Sequence, residues 1–191
     1  MKDDPGGRPR PLRADAARNR VRILDTARQA FAQRGLDAPL ERIARDAGVA
    51  IGTLYRHFPR RDDLVHAAFE AELEAYEHLA QQAHAADDPW VGFCTFLEQI
   101  CAMLADDAGL CDMLTTARET DHFAAMLERA DEVVADVIDH ARRAGVLRPD
   151  FTVDDYRYIL MATAGVIEAT RHTNPQAWRR HLSLVLDAAH A

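Results

Sequence analysis

The sequence has few of the features that mark secreted, membrane-spanning or disulfide-rich proteins. Only three of its 191 residues are cysteines. An odd number without a pair-rich pattern argues against a disulfide framework and fits reduced thiols. No apolar run approaches the roughly 18 residues that a membrane span needs, and the first residues lack the apolar stretch of a signal peptide. We therefore expect a globular, cytoplasmic protein.

Catalytic motifs are also lacking. The sequence contains no phosphate-binding glycine loop, nucleophile elbow or Cys-His arrangement, and its nine histidines are scattered. We expect no enzymatic activity, no cofactor and no bound metal. An enzyme remains the alternative from another class, because the histidines and carboxylates could supply acid-base pairs.

Lysine is nearly absent, and the basic residues are unevenly placed. Arginine supplies all but one of the 23 basic residues, which is typical of a GC-rich genome. The net charge is -8, but residues 1–61 carry a balance of +7 and residues 62–191 a balance of -15. This polarity points to a polyanionic partner for the N-terminal part alone.

Apolar periodicity predicts an all-α protein with about nine helices. Residues 1–13 hold three prolines and two glycines, which predicts a flexible basic arm rather than a helix. A first helix then runs from about Asp15 to Gly35, a second starts at Pro39, and a third spans about Ile51 to Phe58 after a turn at Gly48. Longer helices follow at about 62–83, 89–106, 109–118, 121–144, 153–173 and 175–190.

The third predicted helix has a face suited to DNA. Leu54 and Phe58 fall on one side and should pack inward. The opposite side offers a glycine, hydroxyls, a guanidinium and an imidazole, which can contact phosphates and base edges. Two arginines after Pro59 would clamp phosphates. The predicted DNA-binding residues are Gly52, Thr53, Tyr55, Arg56, His57, Arg60 and Arg61.

Residues 18–70 resemble the N-terminal DNA-binding domain of the TetR family of bacterial transcription regulators. The resemblance rests on "ILDTARQAFAQRGLDAPLERIARDAGVAIGTLYRHFPRRDDLVHAAF", and its specific part is G-V-x-x-G-T-L-Y-x-H-F from Gly48 to Phe58. It implies that Thr53, Tyr55, His57 and Arg61 occupy positions that touch DNA. Pro39 departs from the pattern, because many relatives have a capping Ser or Thr there. The alternative is an ordinary three-helix packing unit.

The resemblance also implies a division of the chain. We predict a flexible basic arm at 1–13, a helix-turn-helix DNA-binding domain at 14–61, and a helical effector-binding and dimerisation domain at 62–191. Whether the arm enters a minor groove stays open.

The last two predicted helices carry apolar residues at helical spacing together with small residues that allow close approach. In TetR-like proteins this pair of helices forms a four-helix dimer interface. Burial within one subunit is the alternative. The predicted interface residues are Tyr156, Leu160, Thr163, Ile167, Trp178, Leu182 and Val185.

The middle helices are rich in aromatic and sulfur-containing side chains, which commonly form a core. In TetR-like proteins the same region encloses a small-molecule pocket, and a mostly apolar pocket would suit a hydrophobic or aromatic effector. The predicted lining is Trp90, Phe93, Phe96, Leu97, Ile100, Met113, Phe123, Met126 and Leu127, with possible polar contacts at Thr115, Thr116, Arg118, Glu119, His122 and His172.

The three cysteines raise one further alternative. Cys94 and Cys101 share a helix face, and Cys111 could fold back towards them, which would suit a redox or metal sensor. Free cysteine is more often a small buried hydrophobic residue.

The resemblance implies a homodimeric, sequence-specific regulator of transcription, most simply a repressor. Two heads would occupy successive major grooves of a near-palindromic double-stranded operator. A small hydrophobic or aromatic effector would release the protein from DNA as the fourth helix swings.

Overall fold

The computed structural model describes residues 10–116 and 121–191, with side chains described for 15–112 and 126–191. Within these ranges the regular elements are nine helices, and the all-α prediction is confirmed. They are α1 (Arg10–Arg34), α2 (Leu40–Asp46), α3 (Ile51–His57), α4 (Arg61–Ala85), α5 (Pro89–Asp106), α6 (Ala108–Thr116), α7 (Asp121–Arg143), α8 (Val153–Thr170) and α9 (Ala177–Ala189). None of the described helices is both long and apolar enough to cross a bilayer.

The first helix begins earlier than predicted. We expected a helix from about Asp15, but α1 starts at Arg10. Pro11 lies in the first turn of α1. Proline has no backbone N–H, but an N–H in the first turn would have no acceptor within the helix, so its absence is tolerated there. The remainder of the predicted arm lies outside the described residues, and so do the contacts of Arg8.

Two glycines set the turns of the N-terminal head, which consists of α1, α2 and α3. Gly35 ends α1 with a φ of 72° and Gly48 follows α2 with a φ of 65°, both in the left-handed region that disfavours side chains. The N–H of Val49 donates to the Ala44 carbonyl at 2.9 Å, which closes the turn into α3. Pro39 is the residue before α2 rather than its first residue, and it makes no side-chain cap.

The later helices start where their caps lie. Asp88 accepts hydrogen bonds from the N–H groups of Trp90 and Val91 at 2.8 and 3.2 Å, so α5 begins at Pro89. Thr152 and Asp155 form a reciprocal capping box at the start of α8. The predicted range of α5, residues 89–106, agrees with the structure at both ends, and the Asp88 cap explains where the helix starts.

Two apolar clusters hold the chain together, and α4 belongs to both. The head cluster joins α1, α2 and α3 to the first turns of α4 through residues such as Ile23, Phe31 and Phe69. The body cluster joins the second half of α4 to α5, α7, α8 and α9. Helix α4 therefore contributes buried residues to both clusters and connects them.

The predicted dimer residues lie inside the subunit. Six of the seven are buried within the chain itself: Tyr156, Leu160, Thr163, Ile167, Trp178 and Leu182. Only Val185 is partly exposed. This burial within one subunit competes with the predicted interface role, which stays a prediction, because the same apolar spacing marks the faces of α8 and α9 that pack against α5.

Candidate DNA-binding face and effector cavity

Helix α3 separates a buried side from an exposed side, as its sequence predicts. Leu54 and Phe58 are fully buried in the head cluster, whereas Tyr55 is 44% exposed. Arg56 is exposed, and its guanidinium lies 3.4 Å from the Thr53 hydroxyl. A side chain at Gly52 would meet no atom within 4 Å, so this position is open surface. The predicted residues of α3 therefore all lie on the exposed or partly exposed side of the helix.

His57 lies at the edge of that face and is only partly exposed. Partial burial lowers the pKa of its imidazole, and the positive charges of Arg56 and Arg20 lower that pKa further. The ring is therefore mainly neutral at pH 7 in the DNA-free protein. A phosphate at this face would favour its protonated form.

The two arginines after Pro59 have different surroundings. Arg60 is exposed, and its backbone N–H donates to the Asp63 carboxylate at 3.0 Å while its guanidinium pairs with the same group. Arg61 instead donates to the carbonyl oxygens of Leu36 and Ala38, the latter at 2.8 Å. Arg61 therefore fastens α4 to the α1–α2 loop, so its predicted role as a phosphate clamp stays a prediction that competes with these bonds.

Two arginines of α1 support α3, and sequence reasoning missed both. Arg22 donates to the Gly48 carbonyl at 3.2 Å and also to that of Ala47, which holds the turn before α3. The Arg20 guanidinium lies 4.5 Å from the centre of the Phe58 ring. These partners are remote in sequence, so no local pattern could have identified them.

A cavity of about 130 Å³ lies in the body between α4, α5, α6, α7 and α8. Its wall is largely aliphatic and aromatic. The lining residues are Phe69, Glu72, Leu73, Tyr76, Ile100, Met103, Leu104, Leu110, Met126, Leu127, Ala130, Asp131, Tyr156, Arg157, Leu160 and Met161.

Only part of the predicted lining reaches this cavity. Ile100, Met126 and Leu127 line it. Phe93, Phe96 and Leu97 are buried in the body cluster, and Trp90 stacks on Phe93 at the far end of α5. These four residues lie in the first half of α5, whereas the cavity wall takes residues only from its second half. Their role in binding an effector stays a prediction that this cavity does not support.

Other predicted contacts lie outside the described side chains or away from the cavity. The side chains of Met113 and Phe123 lie outside the described residues, as do those of Thr115, Thr116, Arg118, Glu119 and His122. His172 is exposed and is not part of the wall.

The cavity wall carries a small set of polar groups that the sequence analysis did not select. The hydroxyls of Tyr76 and Tyr156 lie 3.1 Å apart and hydrogen-bond each other. Burial raises the pKa of both phenols, so both stay neutral. Arg157 forms an ion pair with Asp131, with its Nε 3.0 Å from Oδ1. Glu72 is the remaining charged residue of the wall.

The cysteines do not have the surroundings of reactive thiols. Burial raises the pKa of Cys94 to about 11, of Cys101 to about 12 and of Cys111 to about 11. Reactive cysteines have lowered pKa values, because the thiolate is the nucleophile. Within the described ranges no three His, Cys, Asp or Glu residues are grouped as metal ligands. These surroundings favour cysteines that serve as core residues.

Helix α6 connects the cavity wall to the head. Leu110 lines the cavity, and Asp112, in the same helix, accepts a hydrogen bond from the N–H of Leu36 at 2.9 Å. Arg61 holds the carbonyl of that same residue. The backbone of Leu36, in the α1–α2 loop, is therefore hydrogen-bonded to both α6 and α4: its N–H to Asp112 and its carbonyl to Arg61.

The arrangement defines a helix-turn-helix DNA-binding head on a helical body that contains a cavity. Two family comparisons agree with this class of protein. Residues 23–68 match the family described as bacterial regulatory proteins, tetR family. Residues 88–188 match the SbtR-like C-terminal domain of transcriptional regulators. The chain belongs to the TetR family of transcription regulators, a family of DNA-binding proteins that are not enzymes.

Individual relatives show how far the likeness extends. A TetR transcription regulator from Mycobacterium vanbaalenii is 32% identical, with 95% of this chain and 100% of that one covered and a TM-score of 0.59. An HTH-type transcriptional regulator of Staphylococcus aureus is 36% identical over 66 residues. That match covers 34% of this chain and only 36% of the curated relative. The chain thus matches about a third of the length of these curated relatives.

Two solved structures with bound ligands are similar in fold alone. RolR in complex with resorcinol is 19% identical, covers 92% of this chain and 89% of its own, and has a TM-score of 0.61. FadR from Bacillus subtilis in complex with stearoyl-CoA is 16% identical, covers 87% and 96%, and has a TM-score of 0.67.

Proposed function

We propose that this regulator is a repressor that a small hydrophobic or aromatic effector releases from its operator. The observation that carries the proposal is the double role of α6, which contributes Leu110 to the cavity wall and holds the head through Asp112. A ligand that displaces Leu110 would shift α6 and disturb the hydrogen bond between Asp112 and the N–H of Leu36. The ligands in the RolR and FadR structures support a small-molecule effector here.

The signal would pass along α6 and α4 together. Phe69 of α4 lines the cavity and stacks on Phe31 of α1, with ring centres 6.1 Å apart. Movement of α4 would therefore change the position of the head and the spacing of two heads in a dimer. Coupling of this kind is typically worth about 1 to 3 kcal/mol, or about 5- to 150-fold in DNA affinity.

A homodimer would form through the outer faces of α8 and α9. Tyr158 is 64% exposed and Leu184 52% exposed, and Ala162 and Gly165 lie on the exposed side of α8 with Tyr158. Large apolar side chains beside small residues suit close helix packing between two subunits. Two heads joined in this way would bind successive major grooves in the cytoplasm, where chromosomal DNA lies.

The first experiment is footprinting of the purified protein on the DNA upstream of its own gene, at salt concentrations from about 50 to 200 mM. We expect protection of a near-palindromic site with a steep salt slope. A reporter driven by this region should rise in a strain that lacks the protein. A fall in reporter expression would contradict the repressor assignment, and no retained fragment in a genomic pool would contradict DNA binding.

A further inference from the structure

One carboxylate oxygen in the cavity wall is buried without a partner. Oε2 of Glu72 has no solvent exposure and no hydrogen bond among the described residues. Neighbouring polar groups in the wall are satisfied, since Tyr76 bonds Tyr156 and Asp131 pairs with Arg157. Buried polar groups are normally hydrogen-bonded, so this one unpaired carboxylate oxygen beside a cavity indicates a missing partner.

The charges near Glu72 favour a cation as that partner. Among the described side chains, Arg28 of α1 is the nearby positive group, but its Nε donates to the Ala68 carbonyl at 2.9 Å and its guanidinium lies 3.7 Å from the Asp25 carboxylate. Asp107, before α6, adds a second negative charge near Glu72. Burial raises the pKa of both carboxyl groups. An anionic ligand at this end would face two acidic groups.

The rest of the cavity wall suits a ligand with an aromatic or cyclic group. The cavity volume of about 130 Å³ is close to the roughly 150 Å³ of an engineered apolar cavity that binds benzene. Phe69, Tyr76 and Tyr156 contribute rings to the wall. Aromatic faces attract ammonium groups as well as apolar surface.

We propose that the cavity binds a small aromatic amine in its ammonium form, with Glu72 as the counter-ion. This inference rests on the proposed effector site and names its ligand class. A neutral hydrocarbon would leave Oε2 unpaired, and a carboxylic acid would set two carboxylates side by side. The ammonium supplies the absent hydrogen bonds while the ring fills the apolar volume.

The test compares two probes of nearly equal shape, benzylamine and benzyl alcohol, by calorimetry on the full-length protein without DNA. We expect benzylamine to bind at least about tenfold more tightly, because its ammonium combines a hydrogen bond with an ion pair, whereas the hydroxyl of benzyl alcohol donates a hydrogen bond but carries no charge. Glu72→Gln should abolish this preference. Glu74→Gln, an exposed position on the same helix, should leave it unchanged. Ala130→Phe, which places a ring in the cavity, should block both probes.

The pH dependence gives an independent readout. Glu72 must be ionised to pair with an ammonium, and its pKa is raised, so benzylamine affinity should fall as the pH is lowered through that pKa. Among the residues with described side chains, the other titratable and charged groups around the cavity are Tyr76, Asp107, Asp131, Tyr156, Arg157 and, from α1, Arg28. Glu72→Gln should remove most of this dependence, and benzyl alcohol should show little of it.

Several outcomes would overturn the ligand class. These are equal binding of the two probes, full benzylamine affinity in Glu72→Gln, or no binding of either probe at millimolar concentration. None of them bears on whether the protein binds an operator or represses it, because the assay contains no DNA. Failure of repression, conversely, would leave a measured amine preference intact.

Discussion

The head and the body of this protein carry function in different ways. In the head, the candidate DNA-binding face comes from one short helix, and its residues follow each other from Gly52 to His57. In the body, the cavity takes its wall from five helices, so neighbouring groups such as Tyr76 and Tyr156 are far apart in sequence. A contiguous motif can be recognised in a sequence, whereas a wall assembled by packing depends on helix orientation.

The charges of the two regions follow the same division. Residues 1–61 carry a balance of +7 and residues 62–191 a balance of -15. The basic head fits a polyanion, while the acidic body would be repelled from DNA and keep the head oriented towards it.

The largest effect is expected from a substitution that tests whether dimerisation through the body is needed for DNA binding. Leu184→Asp would place a carboxylate in the proposed dimer interface, where an unpaired charge costs several kcal/mol. We expect a monomer in analytical ultracentrifugation and a loss of operator affinity of at least about 100-fold. Val91→Asp, at another exposed apolar residue, is the matched control and should remain dimeric. A dimeric Leu184→Asp protein would place the interface elsewhere.

The next largest effect is expected from a substitution in the DNA-binding face of the head. Arg56→Ala should weaken operator binding by about 5- to 150-fold, since a bidentate contact to a base is worth about 1 to 3 kcal/mol. The melting temperature should not change, because Arg56 is exposed. Arg45→Ala removes another exposed arginine of the head, which pairs with Asp46, and should cost much less. If Arg56→Ala and Arg45→Ala lost the same operator affinity in a gel-shift titration, Arg56 would contribute only its positive charge and not a contact to a base.

A smaller effect tests the connection between the two regions. Asp112→Ala removes the acceptor for the Leu36 N–H, and a hydrogen bond to a charged group is worth about 1.5 to 3 kcal/mol. Hydrogen exchange in residues 35–38 should therefore accelerate by roughly tenfold or more. Asp106→Ala, at the exposed end of α5, provides the comparison. Unchanged exchange would mean that α6 does not hold the loop.

The pH dependence of operator binding should be modest. The pKa of His57 is lowered in the free protein, so the ring is neutral at pH 7. A nearby phosphate raises that pKa, and binding then takes up a proton. Operator affinity should rise a few-fold as the pH falls from about 7.5 towards 6 and level off below the pKa of the free protein. His57→Gln should flatten this part of the profile.

The smallest expected effect concerns the thiols. With pKa values of about 11 to 12, the three cysteines should react slowly with iodoacetamide at pH 7.5, and mild peroxide should leave operator affinity unchanged. Rapid modification accompanied by loss of DNA binding would revive the redox-sensor alternative.

Sequence reasoning succeeded where the signal was local. The glycine turns at Gly35 and Gly48, the start of α5 and the two faces of α3 were all predictable, because caps, turns and helical periodicity act over a few residues. Arg61 shows the limit of this reasoning. Its position after α3 predicts a phosphate contact, yet in the structure it donates to the carbonyl oxygens of Leu36 and Ala38.

The body shows why spacing alone is insufficient. Tyr156 and Leu160 have the helical spacing expected of a dimer face, but an inward face has the same spacing, and here they line the cavity. Glu72, Asp131 and Arg157 stand among many charged residues of an acidic region. Nothing in their immediate sequence distinguishes them from solvated residues.

The sequence by itself determined the all-helical class, the helix-turn-helix head, its polar outer face and the family of regulators to which the chain belongs. These properties depend on interactions between residues close in sequence. The tertiary structure decided which face of each body helix turns inward, which groups enclose the cavity, and how Leu36 is held between α4 and α6. Those outcomes require helices distant in sequence to pack against one another, and many sequences share the apolar spacing that permits such packing.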